Sequence, residues 1–369
     1  MKKFFLSLAA LCLTLPLFAQ GRGKIALPDL NGFVTMKCDF HMHTLFSDGS
    51  VWPTVRIDEA YREGLDAISI TDHLEYRPHL QEVEKLTGFP TKELTHNISY
   101  ELAKDHAKNR GILLIRGSEI TRSMPPGHHN AIFITNADEL ATPEFMDVFR
   151  AAKAQNAFIF WNHPGWLAQQ PDTTLWFDEH TQLYQLGMMH GIEVVNGSYF
   201  IEAHRWCLEK KLTMMGNSDV HAPFAPFAPG KHRTMTLVFA REATAEAIHE
   251  ALKERRTAVY HEDYLIGEEK YLKELFENAI EITVKKTDNT ATITLKNTSD
   301  LVFQLKNVHH DPRLVYLRNF ELVPFTIAPQ STQTITVRLN NGVKEGDVIF
   351  CVENLLVEPG KGLNYKVNI

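Results

Sequence analysis

The sequence predicts an α/β barrel followed by a smaller, all-β sandwich of immunoglobulin-like size. Up to about residue 265, short apolar runs such as AISI, ILLI and AFIFW alternate with segments of helical pattern. This alternation is typical of strand-helix units around a parallel sheet, and the number of short strands favours a barrel. From residue 279, stretches such as AIEITVKK and TQTITVRL alternate polar with apolar residues and are rich in Thr and Val, which predicts antiparallel strands.

The predicted boundaries follow from these two patterns. Residues 20–265 form the barrel, a charged helix near 267–277 joins the two parts, and residues 279–369 form the sandwich with turns at Asp288-Asn289 and Asn341-Gly342. A chain of 369 residues with 44% hydrophobic residues is long enough for one large core and a second, smaller one. The net charge of -7 argues against broad binding to nucleic acid or to anionic membranes.

The first residues have the layout of a cleaved secretory signal. Lys2 and Lys3 precede an apolar stretch, and Ala19 is a small residue suited to the cleavage site, so we predict a signal peptide at 1–19. The mature protein would then be periplasmic or secreted, with no stable membrane span. Its three cysteines are too few and too scattered for a disulfide scaffold, and we expect them to be buried, although one bridge stays possible.

Histidines and carboxylates stand where the predicted strands of the barrel end. In such a barrel the carboxyl ends of the strands share one face, so side chains that are distant in sequence converge there. Each motif alone has an ordinary explanation, such as a helix cap for Asp72 or a plain turn for the sequence NHPG. Together they predict a metal site, and the residues that follow strands are His41, His43, His73, Glu119, His163, Asp219 and His221, with Asp48 close behind the first pair.

The motifs HMHTLFSDG, ITDH, GSEIT, HHN, NHPG and NSDVH, in that order, resemble the ligand motifs of the polymerase and histidinol phosphatase (PHP) superfamily. The resemblance covers roughly residues 36–240. Within the superfamily, the exported, two-domain layout is most similar to the secreted phosphodiesterase branch found in bacteria. The resemblance implies a distorted, TIM-like (β/α)7 barrel and two or three divalent metal ions.

The resemblance also implies which residues hold each ion. A first ion would be held by His41, His43, Glu119 and Asp219, a second by Glu119, His129 and His163, and a third by Asp48, His73 and His221. His129 is preferred because the family pattern has its imidazole at the strand entry, and His128 is the alternative. Six imidazoles and three carboxylates suit zinc, manganese or iron better than calcium or magnesium.

Phosphodiester hydrolysis is the reaction that this ligand set favours, because a metal pair neutralises phosphoryl oxygens and lowers the pKa of a bound water. Glu119 would bridge two ions. For binding the phosphate of a small-molecule phosphoester, we single out Arg233 and His79, with Lys231, His232 and Arg77 as further candidates. Asp72 is expected to orient a ligand.

Two other functions stay open. The same metals can act on carbamates, amides or other esters, since the fold and its nucleophile do not dictate the substrate. A metal-binding protein without turnover is the third possibility. The basic residues at 231–233 favour the phosphoester. The oligomeric state does not follow from the sequence.

Overall fold

The structure, a computed structural model, describes residues 21–226, 230–317, 323–340 and 345–369. The predicted signal peptide at 1–19 and the predicted turn at Asn341-Gly342 lie outside the described residues. No helix in these ranges combines the length and the apolar character that crossing a membrane requires.

Helices and strands are mixed up to residue 279, and the described residues beyond it contain only strands. The helices are α1 (Pro53–Glu63), α2 (Leu80–Thr87), α3 (Ile98–Arg110), α4 (Phe145–Ala154), α5 (Asp178–Gln185), α6 (Ile201–Lys210), α7 (Ala245–Lys253) and α8 (Glu269–Ala279). The strands of the first part are β1 (Val34–Asp39), β2 (Ala67–Ile70), β3 (Leu113–Ile120), β4 (His129–Ile132), β5 (Phe158–Trp161), β6 (Gly191–Asn196), β7 (Ser198–Tyr199), β8 (Thr213–Asn217), β9 (Met235–Ala240), β10 (Thr257–His261) and β11 (Tyr264–Gly267). The remaining strands are β12 (Ile280–Lys286), β13 (Thr290–Asn297), β14 (Phe303–Asn307), β15 (Leu314–Tyr316), β16 (Phe325–Ile327), β17 (Thr332–Leu339), β18 (Asp347–Glu358) and β19 (Lys361–Asn368).

The first part is a curved sheet in the order β9-β1-β2-β3-β4-β5-β6-β8. Parallel pairs join β1 to β2, β2 to β3, β5 to β6 and β6 to β8, whereas β4 and β9 run antiparallel to their neighbours. The antiparallel β4 departs from a simple strand-helix repeat because only residues 121–128 connect it to β3. A parallel crossover needs a dozen or more residues, so this connection can only turn the chain back.

Threonine hydroxyls join the two ends of this sheet. The Thr236 hydroxyl in β9 donates to the Gly216 carbonyl oxygen at 2.9 Å and accepts from the Gly216 N–H at 3.0 Å. The Thr257 hydroxyl in β10 donates to the Met214 carbonyl oxygen at 2.9 Å. A Cβ on Gly216 would lie 2.2 Å from Val259 Cγ1, so the close approach requires glycine. These contacts bring the two ends of the sheet together, in agreement with the predicted barrel.

Helices cover the barrel with apolar faces of helical period. In α7, Ile248, Ala251 and Leu252 are buried, and the Thr244 hydroxyl accepts from the Ala247 N–H at 3.2 Å to begin the helix. The strands bury residues on both faces, as strands do when helices cover the sheet: β2, β5 and β9 are buried throughout. The cysteines Cys38, Cys207 and Cys351 are all free.

The second part is an antiparallel sandwich, which confirms the predicted all-β C-terminal domain. One sheet has the order β12-β13-β17-β15, and the other contains β16, β14, β18 and β19. The second sheet continues into the barrel, because Leu265 and Ile266 of β11 pair in parallel with Leu355 and Leu356 of β18. Helix α8 lies at this junction and buries Leu272, among others. The sandwich is therefore attached to the barrel by backbone hydrogen bonds as well as by packing.

Candidate metal centre

Most of the predicted ligands meet at the carboxyl ends of the barrel strands. His41 and His43 follow β1, His73 follows β2, Glu119 is the penultimate residue of β3, His163 follows β5, and Asp219 and His221 follow β8. Two isolated parallel bridges hold these segments in place, one between Met42 and Val220 and one between His73 and Glu119. The strand ends therefore bring together residues that are far apart in the sequence.

A first group of four potential ligand atoms consists of two imidazole nitrogens and two carboxylate oxygens. His41 Nε2 is 3.1 Å from both Glu119 Oε2 and Asp219 Oδ1, and His43 Nε2 is 3.1 Å from the same two oxygens. Both imidazoles are fully buried. Asp219 has a backbone φ of +51°, a left-handed conformation that is uncommon for a residue other than glycine and is frequent at functional sites.

Two further groups extend this cluster on either side. His128 Nδ1 is 2.8 Å and His163 Nε2 is 3.8 Å from Glu119 Oε1. Asp48 Oδ1 is 3.4 Å from His73 Nε2 and 3.3 Å from His221 Nε2. Glu119 therefore presents one oxygen to the first group and its other oxygen to His128 and His163. That is the position that a bridging carboxylate requires.

The donor atoms fit divalent metal ions. In the described residues, His43 Nε2, His128 Nδ1, Glu119 Oε1 and Asp219 Oδ1 are buried and make no hydrogen bond. Buried polar atoms are nearly always paired, so several unpaired ones that face each other need another explanation. The ligand atoms of four such groups lie within 4.8 Å of one another in each group. Imidazole nitrogens and carboxylate oxygens at this spacing are a suitable ligand set for divalent ions.

The charges of the cluster support the same conclusion. Burial alone would lower the pKa of His43, but the carboxylates of Asp219 and Glu119, each with an oxygen 3.1 Å from His43 Nε2, raise that pKa to about 9. Burial alone would raise the pKa of Glu119, but the charges of His73 and His41 hold it well below its ordinary value. The carboxylates are thus ionised and need positive charge beside them, which either protons on the imidazoles or metal ions supply.

Glu193, a residue that the sequence analysis did not single out, supports two ligands from behind. Its carboxylate, fully buried in β6, lies with Oε1 2.9 Å from His41 Nδ1. Its Oε2 accepts from the His163 N–H at 2.7 Å and from Asn196 Nδ2 at 2.8 Å. A carboxylate behind a metal-binding imidazole fixes its tautomer and its orientation. The signal in the sequence was a glutamate inside the apolar strand segment IEVV.

Arg56 of α1 is a second residue that the sequence analysis missed. Its guanidinium is fully buried and donates to the carbonyl oxygens of His43 at 2.9 Å, Val220 at 3.1 Å and His221 at 2.9 Å. It also pairs with Glu59 at 2.7 Å. Arg56 thereby ties the segment after β1 to the segment after β8, both of which carry ligands. An arginine on the buried face of an amphipathic helix was the available signal.

The structure corrects the prediction for His129. This residue is fully buried, and its ring lies against Phe149 at 5.0 Å between centroids and parallel to Trp161 at 6.4 Å. His128 instead faces Glu119. Side chains of successive residues in an extended chain point to opposite sides, so only one of the two imidazoles can face the cluster. Burial lowers the pKa of His129, which keeps it neutral in the apolar layer behind the strand.

The structure also corrects the role predicted for Arg233. Its guanidinium is fully buried and donates from Nη1 to Asp39 at 2.9 Å and from Nε to Glu63 at 2.6 Å. It has no accessible surface with which to contact a substrate phosphate. Instead it supports Asp39, whose Oδ1 accepts from the Ser218 N–H at 3.1 Å, next to the predicted ligand Asp219. Lys231 and His232 line a different pocket, between the barrel and the sandwich.

The remaining candidates also lie outside the cavity. His79 precedes α2 and is not among the lining residues, and Arg77 donates to the carbonyl oxygens of Phe46 at 2.9 Å and Leu94 at 2.8 Å. Asp72 accepts from the Thr44 N–H and the Ser47 hydroxyl, both at 2.7 Å. Asp72 therefore fixes the segment that follows His43, and its effect on the ligands is indirect.

The cluster opens into a cavity of about 750 Å³. Beside the ligands, its wall consists of Gly165, Trp166, Leu167, Asn196, Ser198 and Phe200. No lysine or arginine of the described ranges lines it. Positive charge inside this cavity must therefore come from bound cations or from protonated imidazoles.

Comparison with known proteins covers both parts of the chain. A family model described as an Ig-like domain matches residues 277–368. The crystal structure of a two-domain protein of Bacteroides vulgatus, which contains a predicted PHP-like metal-dependent phosphoesterase, has 50% sequence identity and a TM-score of 0.88; the match covers 95% of this chain and 100% of that one. An uncharacterized protein of Methanocaldococcus jannaschii is 27% identical over 201 residues, which cover 51% of this chain and 83% of the relative.

Proposed function

Since the chain belongs to the family of PHP-like metal-dependent phosphoesterases, we propose that it hydrolyses phosphodiesters with two or three divalent ions, zinc, manganese or iron. The observation that carries this proposal is the position of Glu119, whose two oxygens face two different sets of imidazoles. A carboxylate so placed is suited to two cations at the short separation useful in phosphoryl chemistry.

The proposed ligands fall into three sets. His41, His43, Glu119 and Asp219 would hold the first ion, Glu119, His128 and His163 the second, and Asp48, His73 and His221 the third. When bound, divalent ions would neutralise the negative charge of the phosphoryl oxygens and lower the pKa of a water ligand. The chain's own residues orient the ligands: Glu193 holds the ring of His41, and Arg56 holds the backbone of His43. Burial of both rings keeps bulk water away from the ligand atoms.

The lining of the cavity favours a diester over a monoester. A phosphomonoester is dianionic near neutral pH, and sites that bind such a group usually add arginine or lysine donors. The described lining residues include none, whereas Asp48, Glu119 and Asp219 contribute negative charge. A singly charged phosphodiester needs less compensation from the protein. The same lining and the net charge of -7 favour a small-molecule phosphoester over a nucleic acid.

A second candidate function follows from the same lining. Because no described cationic side chain faces the cavity, a neutral ester, amide or carbamate would also be accommodated beside the ions. In the sequence, the basic residues at 231–233 favoured a phosphoester substrate. They no longer support it, because Arg233 is buried in ion pairs and Lys231 lines another pocket.

A substrate panel tests these alternatives. The full chain is loaded with zinc, manganese or iron and assayed on bis(4-nitrophenyl) phosphate, 4-nitrophenyl phosphate and a 4-nitrophenyl carbamate, with a chelator-treated sample as the control. We expect the highest kcat/KM on the diester and loss of turnover after chelation. Turnover of the carbamate alone would support the second function, and full metal content without turnover of any substrate would contradict both.

We further propose that the protein is exported, on the basis of the signal-like segment at 1–19. Expression of the full sequence in a bacterial host, followed by fractionation and N-terminal sequencing, tests this. We expect a periplasmic or secreted product that begins at Gln20. A cytoplasmic product that keeps residues 1–19 would contradict export.

A further inference from the structure

We propose that the cavity selects phosphodiesters whose second substituent, the one that is not the leaving group, is a planar aromatic group, and that Trp166 is the side chain on which this group stacks. The inference rests on the phosphodiesterase function proposed above, whose site it extends from the reacting phosphate to the ester substituent.

Trp166 combines exposure with contact to the ligand cluster. Its ring centroid lies 5.6 Å from that of His128 and 5.3 Å from that of His163. Yet 46% of the residue is exposed, whereas the other four tryptophans of the chain are buried or half-buried. An exposed indole usually packs against a binding partner, because burial of its large apolar surface contributes a favourable free energy that is absent in water. Trp166 is one of the residues that line the cavity beside the proposed ligands.

The segment that carries Trp166 is held rigidly. The Trp166 N–H donates to the His163 carbonyl oxygen at 2.9 Å, and Gln170 Nε2 donates to the Pro164 carbonyl oxygen at 2.7 Å. A Cβ on Gly165 would lie 2.6 Å from Phe200 Cδ1, so the glycine allows Phe200 to pack directly against this segment. A side chain on a fixed backbone loses little entropy when a ligand stacks on it, which favours binding.

The chemistry of the wall decides the substituent class. Trp166, Leu167 and Phe200 provide apolar surface on the side of His163, and 71% of Leu167 is exposed. Charged groups of the described residues in this cavity are confined to the ligand cluster itself. A flat, uncharged ring therefore matches the wall next to the phosphate position, whereas a small alkyl or a charged substituent would leave the indole in water.

A matched pair of substrates tests the inference on the full, metal-loaded chain. Phenyl 4-nitrophenyl phosphate and methyl 4-nitrophenyl phosphate share one leaving group and differ only in the second substituent. We expect a higher kcat/KM for the phenyl ester. Trp166→Ala should lower the phenyl-to-methyl ratio of kcat/KM about tenfold, the scale of one aromatic stack, and Trp166→Phe should retain most of the preference. Leu86→Ala, which removes a side chain that is 80% exposed in α2, is the control for loss of surface apolar area.

Binding supplies a readout that does not depend on turnover. Calorimetry with methyl phenylphosphonate and methyl methylphosphonate, two singly charged diester analogues whose single ester bond carries the poor leaving group methoxide, should show tighter binding of the phenyl compound and loss of this difference in Trp166→Ala. Equal metal content and equal Tm would establish that this variant is folded. An unchanged phenyl preference in Trp166→Ala, in rate or in binding, would overturn the role of Trp166. Absence of hydrolysis of both esters by the wild-type chain would instead contradict the phosphodiesterase function, and the binding ratio would still decide the aromatic preference.

Discussion

Buried polar side chains behave differently in the sandwich and at the metal centre. In the sandwich, Asn297 Nδ2 donates to the carbonyl oxygens of Leu301 at 2.7 Å and Ala328 at 3.0 Å. Asn354 donates to the Val302 carbonyl oxygen at 2.8 Å and accepts from the Gln304 N–H at 2.9 Å. These amides hold loops to strands, and their hydrogen bonds are made within the protein.

At the candidate metal centre, several buried polar atoms lie close together without a hydrogen-bond partner. His43 Nε2 and Asp219 Oδ1 are 3.1 Å apart, and both atoms lack a hydrogen-bond partner. The contrast shows that burial of a polar residue does not by itself identify a site. Convergence of unpaired polar atoms does, because such atoms are stabilised by a shared cation rather than by one another.

Glu119→Gln should have the largest effect on the candidate metal centre and so distinguish it most clearly from the sandwich. Glutamine keeps the shape of the side chain but removes the charge between the two sets of imidazoles, so the second ion should bind poorly. We expect the diesterase rate to fall by about 1,000-fold or more, equivalent to the several kcal/mol that a catalytic ion supplies. Elemental analysis of metal per chain, with the exposed Glu246→Gln as the control, measures the cause. Full metal content and a near-normal rate would exclude the bridging role.

The two adjacent histidines allow a comparison within one segment. His128→Ala removes a nitrogen that faces Glu119, and we expect a rate loss of more than about 100-fold together with reduced metal content, because loss of an outer partner alone typically costs about 10–100-fold. His129→Leu replaces a buried ring and should cost about 1 kcal/mol of stability with the metals retained. Parallel metal analysis and thermal unfolding of both variants decide this. Metal loss in His129→Leu alone would restore the ligand predicted from the sequence.

Glu193→Gln should give a smaller loss at the same site. The substitution keeps a hydrogen-bonding group beside His41 but removes the negative charge that favours its correct tautomer. Such partners of metal ligands typically contribute 10–100-fold to affinity or activity, and we expect a decrease of roughly this size. Titration of the metal-free protein with zinc measures it. Zinc affinity equal to that of the wild type would show that Glu193 only fills space.

Asn354→Ala should have the smallest effect on function. It leaves the Gln304 N–H and the Val302 carbonyl oxygen without their partner, which should cost about 1–3 kcal/mol of stability. Urea unfolding measures this cost, while metal content and kcat/KM should equal those of the wild type. If the variant lost metal while still folded, the separation between a structural sandwich and a catalytic barrel would be wrong.

The positions of most of the proposed ligands could be predicted because they follow from local sequence and a simple topological rule. Apolar runs marked the ends of β1, β2, β3, β5 and β8, and polar residues directly after them had to share one face of a barrel. Glu193 and Arg56 were missed because each lies within a buried face whose neighbours are apolar. Only their partners, the rings and carbonyl groups of the ligand segments, reveal what these residues do.

The sequence by itself determined the two-part architecture, the edge of the barrel at which the chemistry lies and the residue types of the cluster, because strand periodicity and strand ends are local properties. Only the tertiary structure decided that His128 rather than His129 faces Glu119 and that Arg233 is neutralised by Asp39 and Glu63. The direction of a side chain at a strand entry depends on register and twist. The partners of a buried charge come from segments far away in the chain, so neither property is encoded in a short motif.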